Sequence, residues 1–183
     1  MRLKTTLAAG LMAGLLALGG AALAQKPQFI NVLTGGQSGV YYPLGVSLAQ
    51  IFAKAVPDAR ATAQVTKASA ENLNLLQAGR GELAFSLGDA VADAWAGDAE
   101  AGFKEPLKNL RGFSATYNNY IQIVASEDSG IKTLADLKGK RVSVGAAKSG
   151  TELNARAIFK AAGLVVAKDS AMSSTCCSAS RSS

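Results

Sequence analysis

The stretch Thr34–Gly45, TGGQSGVYYPLG, decides how the rest of the chain is read. Upstream lies a short β-prone run, Phe29-Ile30-Asn31-Val32-Leu33. Downstream, Leu44, Leu48, Ile51, Phe52 and Ala55 recur at helical spacing. A strand that breaks at glycines and restarts as an amphipathic helix is a βα turn. Pro43 falls in the first turn of that helix, where a missing N–H costs little. The first N–H groups of a helix lack partners within it, and the macrodipole adds to their pull on anions. A carboxylate or phosphate is the natural occupant of such a corner. Gly36 and Gly39 permit close backbone approach, Ser38 adds a hydroxyl, and Tyr41 and Tyr42 can wall a pocket. A tight turn with core tyrosines has the same pattern, and spacing alone does not choose between the two.

The strand–turn–helix unit recurs. Ala61–Val65 reads as a second strand, followed by a helix over about Ser69–Ala78 that Gly79-Arg80-Gly81 closes. Leu83–Leu87 is a third strand, and Asp89 is placed to cap the helix Ala90–Ala96. Leu110–Ala115 and Tyr120–Ala125 read as two more strands around the polar turn Thr116–Asn119. After Gly130 a second unit begins. Thr133–Asp136 has capping-box spacing, Arg141–Gly145 is a strand, and Ser149–Glu152 repeats the spacing at the start of a helix through Ala162. Strands alternating with helices argue for an α/β fold with largely parallel sheets.

Composition narrows the function classes. Arg2 and Lys4 precede the apolar stretch Leu7–Gly20, and Ala22-Leu23-Ala24 supplies a small-x-small site, so a secretory signal cleaved after Ala24 is expected. That run is too short and too rich in Gly and Ala for a comfortable membrane span. The formal net charge is +6, but Lys and Arg are scattered, without the aromatic-interleaved cluster of a nucleic-acid surface. There is no histidine, and both cysteines stand together at Cys176-Cys177. The body of the chain therefore has neither Cys/His metal ligands nor the commonest general base. No catalytic residue, metal or cofactor is expected. From Val165 onward serine dominates, periodicity vanishes, and the segment 165–183 is expected to be disordered. So abrupt a break is also what a lost reading frame would leave.

Two further corners resemble the first. Thr66-Lys67-Ala68-Ser69-Ala70-Glu71-Asn72 again joins strand to helix. Ser69 is a natural N-cap there, and Asn72 can both donate and accept. In a parallel sheet such corners open at one edge, where ligands gather. In Gly145-Ala146-Ala147-Lys148-Ser149-Gly150-Thr151, Lys148-Ser149 suggests a phosphate loop, but Ala147 replaces the glycine such a loop requires. The helix start Ser149-Gly150-Thr151 remains an anion cradle. Asp89, Tyr117 and Tyr120 are placed to line the same opening.

Taken together, GGQSGVYYPLG, TKASAENLNLLQAGRGELAFSLGDA and LKGKRVSVGAAKSGTELNARAIFKAAG resemble the TAXI family. These are extracytoplasmic solute receptors of tripartite ATP-independent periplasmic (TRAP) transporters. The resemblance implies a type II periplasmic-binding-protein fold, with a first α/β lobe over 25–127 and a partial second lobe over 128–164. It implies a small anionic solute, such as glutamate or 2-oxoglutarate, delivered to membrane permease subunits. Carried over by position, Gly36, Ser38, Gly39 and Tyr41 match the first ligand loop, Ala68, Ser69 and Asn72 the second, and Ser149, Gly150 and Thr151 the loop of the second lobe. Receptors of that family are longer, so the chain is expected to be truncated or frameshifted near Val165. A receptor for an ATP-driven importer or a sensor shares the same fold. A secreted enzyme is the alternative from a different class, and it would have to work without histidine, the commonest general base.

Overall fold

The computed structural model describes residues 27–164 and 170–173. β1 (Gln28–Leu33) lies between β2 (Ala59–Gln64) and the short β3 (Leu83–Ala84), all parallel. Gln28 stands opposite Ala59 and Leu33 opposite Gln64. Parallel neighbours need crossovers, and α1 (Tyr41–Ala55) and α2 (Ser69–Gln77) supply them. The two strands differ in how they are covered. Val32 and Leu33 are successive and both buried, as in a strand covered on both faces. β2 alternates half-buried and exposed residues, as an edge strand does.

α3 (Gly88–Ala96) packs against α2, burying Ala70, Leu73, Ala90 and Ala94 together with Phe103 and Leu107. The loop after α3 thus carries the largest fully buried side chain, Phe103. Gly97 sets that loop's direction. It sits at φ 76°, donates to the carbonyls of Asp93 and Ala94, and lies so close to Pro106 that a Cβ would be 2.6 Å from its nitrogen.

The second unit opens at a single 3₁₀ turn, Leu134–Leu137. The Asp136 carboxylate accepts from the N–H groups of Lys132 and Thr133 and from the Thr133 hydroxyl, forming the capping arrangement its spacing predicts. β4 (Lys140–Ser143) and α4 (Gly150–Ala161) follow. Leu137, Val144, Phe159 and Leu164 form a separate core there. Leu153 of α4 instead packs against the core of the first unit.

Three expectations need correction. The third strand keeps ladder pairing only at Leu83–Ala84, although the Phe85 N–H still donates to Leu33. The strands expected at 110–115 and 120–125 do not form, and residues 111–126 are exposed without ladder partners. β-propensity expresses itself only where a neighbouring backbone is available. Within the serine-rich segment, β5 (Ser170–Ser173) pairs parallel to β4, with Lys140 opposite Ser170. Ladder hydrogen bonds come from the backbone, so Ser170-Ala171-Met172-Ser173 can form them in a segment otherwise rich in serine. The rest of that segment, both cysteines and the leader with its cleavage site lie outside the described residues. No helix among the described residues is long and apolar enough to cross a membrane.

Gly45 lets α1 approach β1. A Cβ there would run into Cγ2 of the fully buried Thr34 and sit 3.5 Å from Val32. Gly45→Ala is expected to destabilise by about 1–3 kcal/mol, the usual range for overpacking. Gly36→Ala, where a Cβ meets nothing within 4 Å, should leave the melting temperature unchanged. Thermal unfolding of the two variants checks both.

Candidate functional site

The C-terminal ends of the strands are tied together by one side chain. Asn72, fully buried one turn into α2, donates from Nδ2 to the Thr34 carbonyl at 2.7 Å and to the Phe85 carbonyl at 2.8 Å. Its Oδ1 accepts from the Thr66 hydroxyl at 2.6 Å. Thr34 adds a bond from its own hydroxyl to the Gln64 carbonyl at 2.7 Å. The ends of β1, β2 and β3 are thereby held in fixed relation. The side-chain polar groups of the fully buried Thr34 and Asn72 all have partners, as burial requires. Both donors and the carbonyl of Asn72 are engaged by protein, so in this structure the amide braces the strand ends.

Ser69 also departs from its expected role. Ala68 occupies the N-cap position, at φ 69° and ψ −152°, a region that normally only glycine visits. The Ala68 N–H donates to the Thr66 hydroxyl oxygen, and its carbonyl accepts from the Asn72 N–H, which fixes this conformation. Ser69 is the first helical residue, and its hydroxyl accepts from the Leu87 N–H at 3.1 Å instead of capping α2. The same hydroxyl is close enough to Tyr41 to pull its phenol pKa down.

The candidate loops meet at this serine. A Cβ on Gly35 would lie 3.3 Å from the Ala68 Cβ and 3.8 Å from the Tyr41 ring, so the first two corners abut. Gly36, Ser38 and Gly39 are exposed on that first loop, where the Gly39 N–H donates to the Gly36 carbonyl. From the second unit, Gly150 approaches so closely that a Cβ there would stand 2.6 Å from Ser69 Oγ and run into Leu87. Ser149 caps α4 by accepting from the Glu152 N–H. The Glu152 carboxylate reaches back to the Lys148 N–H and forward to Arg156, closing the box one residue earlier than its spacing predicts. Tyr41, Ser69 and Gly150 are therefore neighbours, although they are far apart in sequence.

Beside them lies a cleft of about 330 Å³, lined by Tyr41, Ser86, Asp89, Tyr117, Asn119 and Asn154 among others. Tyr41 stacks on Phe85 at 5.3 Å and meets Tyr117 at 6.5 Å. Burial, with smaller contributions from Tyr117 and Asp89, pushes the Tyr41 hydroxyl up to about 12 against the opposing pull of Ser69. It stays protonated, and a donor, across the physiological range. Asp89 lines the cleft as expected, with one oxygen accepting from the adjacent Ala90 N–H. Tyr120 and Thr151 face an adjoining hollow of about 210 Å³ between α4 and residues 119–124. Ser86, Asn119 and Asn154 escaped the sequence reading. Only the position of Asn154, one turn beyond Gly150 on α4, signalled it. Among the described residues no group of acidic, Cys or His side chains could hold a metal.

Asn72→Ala would leave the Thr34 and Phe85 carbonyls without that donor, at a cost on the order of 2–4 kcal/mol from orphaned buried acceptors. A denaturant titration showing less than 1 kcal/mol would contradict the bracing role. Glu152 adds a pH dependence. Burial would raise its carboxyl, but the hydrogen bonds from Arg156 and Lys148, together with their charges, hold it below the usual range. A depressed native value stabilises above the unfolded value, and the gain is lost as pH falls through the native one. Stability should thus decline on acidification below about 4.5, the ordinary glutamate value. Glu152→Gln should flatten that part of a melting-temperature profile.

The NMT1-like family matches residues 32–182, a range that takes in both α/β units and most of the serine-rich segment. Its members are extracytoplasmic solute-binding proteins, which fits a small α/β cleft bordered by helix starts. The chain belongs to the NMT1-like family of solute-binding proteins.

Proposed function

We propose that the chain is a receptor of the TAXI type for a TRAP transporter, taking up a small carboxylate outside the cytoplasm and presenting it to membrane permease subunits. The observation that carries this reading is the meeting of helix starts from both units at Tyr41, Ser69 and Gly150. Helix N-termini gathered at one place, next to a neutral tyrosine donor, favour an anionic group without any lysine or arginine. The cleft, at about 330 Å³, is at the small end of ligand pockets, which suits a metabolite of glutamate or 2-oxoglutarate size.

In this reading Tyr41 lines the cleft and Thr151 the adjoining hollow, Gly36, Ser38 and Gly39 are the exposed loop next to Tyr41, and Ala68, Ser69, Ser149 and Gly150 form the packed junction behind them. A leader cleaved after Ala24 would deliver the receptor to the periplasm. We also read the second lobe as partial, because Phe113, Tyr120 and Val124 stand largely exposed where a completed lobe would cover them.

Isothermal titration with glutamate, 2-oxoglutarate and glutarate tests the reading, alongside thermal shift. At least one of these acids should bind and raise the melting temperature. Tyr41→Phe, which removes the donor but keeps the stacked ring, should weaken that binding about tenfold, the size of one net hydrogen bond. Silence from every carboxylate at millimolar concentration would overturn the assignment.

A further inference from the structure

We propose that the solute carries a positively charged amino group, and that Asp89 receives it beside the rings of Tyr41 and Tyr117. The proposal rests on the carboxylate reading above and sharpens it, since it selects zwitterionic acids over plain dianions.

The chain carries 19 Lys and Arg against 13 Asp and Glu. Yet among the described residues no Lys or Arg lines the cleft, and the one charged side chain there is Asp89. A second carboxylate on a bound solute would face that exposed aspartate with no counter-cation beside it, and like charges repel. The amides at the helix starts can absorb one negative end. They do nothing for the aspartate.

Asp89 is also incompletely used by the fold. One oxygen accepts the Ala90 N–H at 2.7 Å, and no described residue bonds the other. That bond is to the next residue along, a local turn contact that an asparagine would reproduce. The free oxygen belongs to a residue that lines the cleft. The tyrosine rings supply the second half of an ammonium site. Tyr41 and Tyr117 meet at 6.5 Å and 59°, and both line the cleft with Asp89. Aromatic faces attract cations through the ring quadrupole. Nearby Ser86, Asn119 and Asn154 supply carbonyl and hydroxyl acceptors for the remaining ammonium hydrogens. A carboxylate, two tyrosine rings and neutral acceptors form a surface for a primary amine.

The test compares ligands that differ only at that group. L-glutamate and 2-oxoglutarate share both carboxylates and differ by an ammonium in place of a ketone. Titrated into the wild-type protein, L-glutamate should bind at least tenfold more tightly. Asp89→Asn should weaken L-glutamate by about 10–100-fold, as for a lost charge-assisted hydrogen bond, and leave 2-oxoglutarate unchanged or tighter. A keto acid that binds as well as the amino acid overturns the proposal while leaving the carboxylate reading intact. So does an unchanged ratio in Asp89→Asn. A diamine, 1,4-diaminobutane, separates the remaining cases. If it alone binds, in an Asp89-dependent way, the amine site stands and the carboxylate reading falls. If none of the probes binds, both fall.

Discussion

A single buried amide orders the functional edge of the protein. The parallel strands end level, with Leu33 opposite both Gln64 and Ala84, and no ladder pair spans the space just beyond them. Asn72 fills that space from α2, giving hydrogens to Thr34 and Phe85 and taking one from Thr66. Three chain segments that are distant in sequence share one residue's hydrogen-bonding capacity. In a region closed to water, such a set has one satisfied arrangement, and alternatives leave polar groups without partners. The βα corners inherit their positions from it.

What the brace fixes is the relation between Ala68 and its surroundings. The positive φ of Ala68 is held by the same threonine hydroxyl and the same helix. That backbone turn presents Ser69 toward Tyr41 and Leu87 and away from solvent. Gly150 then completes the meeting point, because only a residue without Cβ lets α4 come so near to Ser69. Packing, strain and a missing side chain cooperate to bring helix starts from both units to one place. The anion preference of the site would come from this placement of backbone, with few dedicated side chains.

Much of the architecture was legible beforehand because it is written in local signals. The alternation β1–α1–β2–α2, the glycine stops and the capping boxes at Thr133 and Ser149 all depend on neighbours within a few residues. The strands read at 110–115 and 120–125 depend on a partner backbone, which a local pattern cannot supply. The bracing by Asn72 and the bond from Leu87 to Ser69 were hidden for a related reason. An asparagine or serine near a helix start looks the same whether it faces a solute, caps the helix or braces a strand. Only the carbonyls of Thr34 and Phe85, and the N–H of Leu87, decide which. Asp89 was read first as a cap, and that role does account for one of its oxygens. The meaning of the other depends on which residues line the cleft, and that is a property of the folded chain alone.

The contact between Gly150 and Ser69 has a kinetic consequence. The serine hydroxyl is 1% exposed, roofed by the start of α4. Anything that is to touch that hydroxyl must first displace α4, so a solute that used it would exchange only as the two units part. Residence time would then be set by how readily α4 withdraws, and changes on the outer face of that helix could alter release without touching the binding surface.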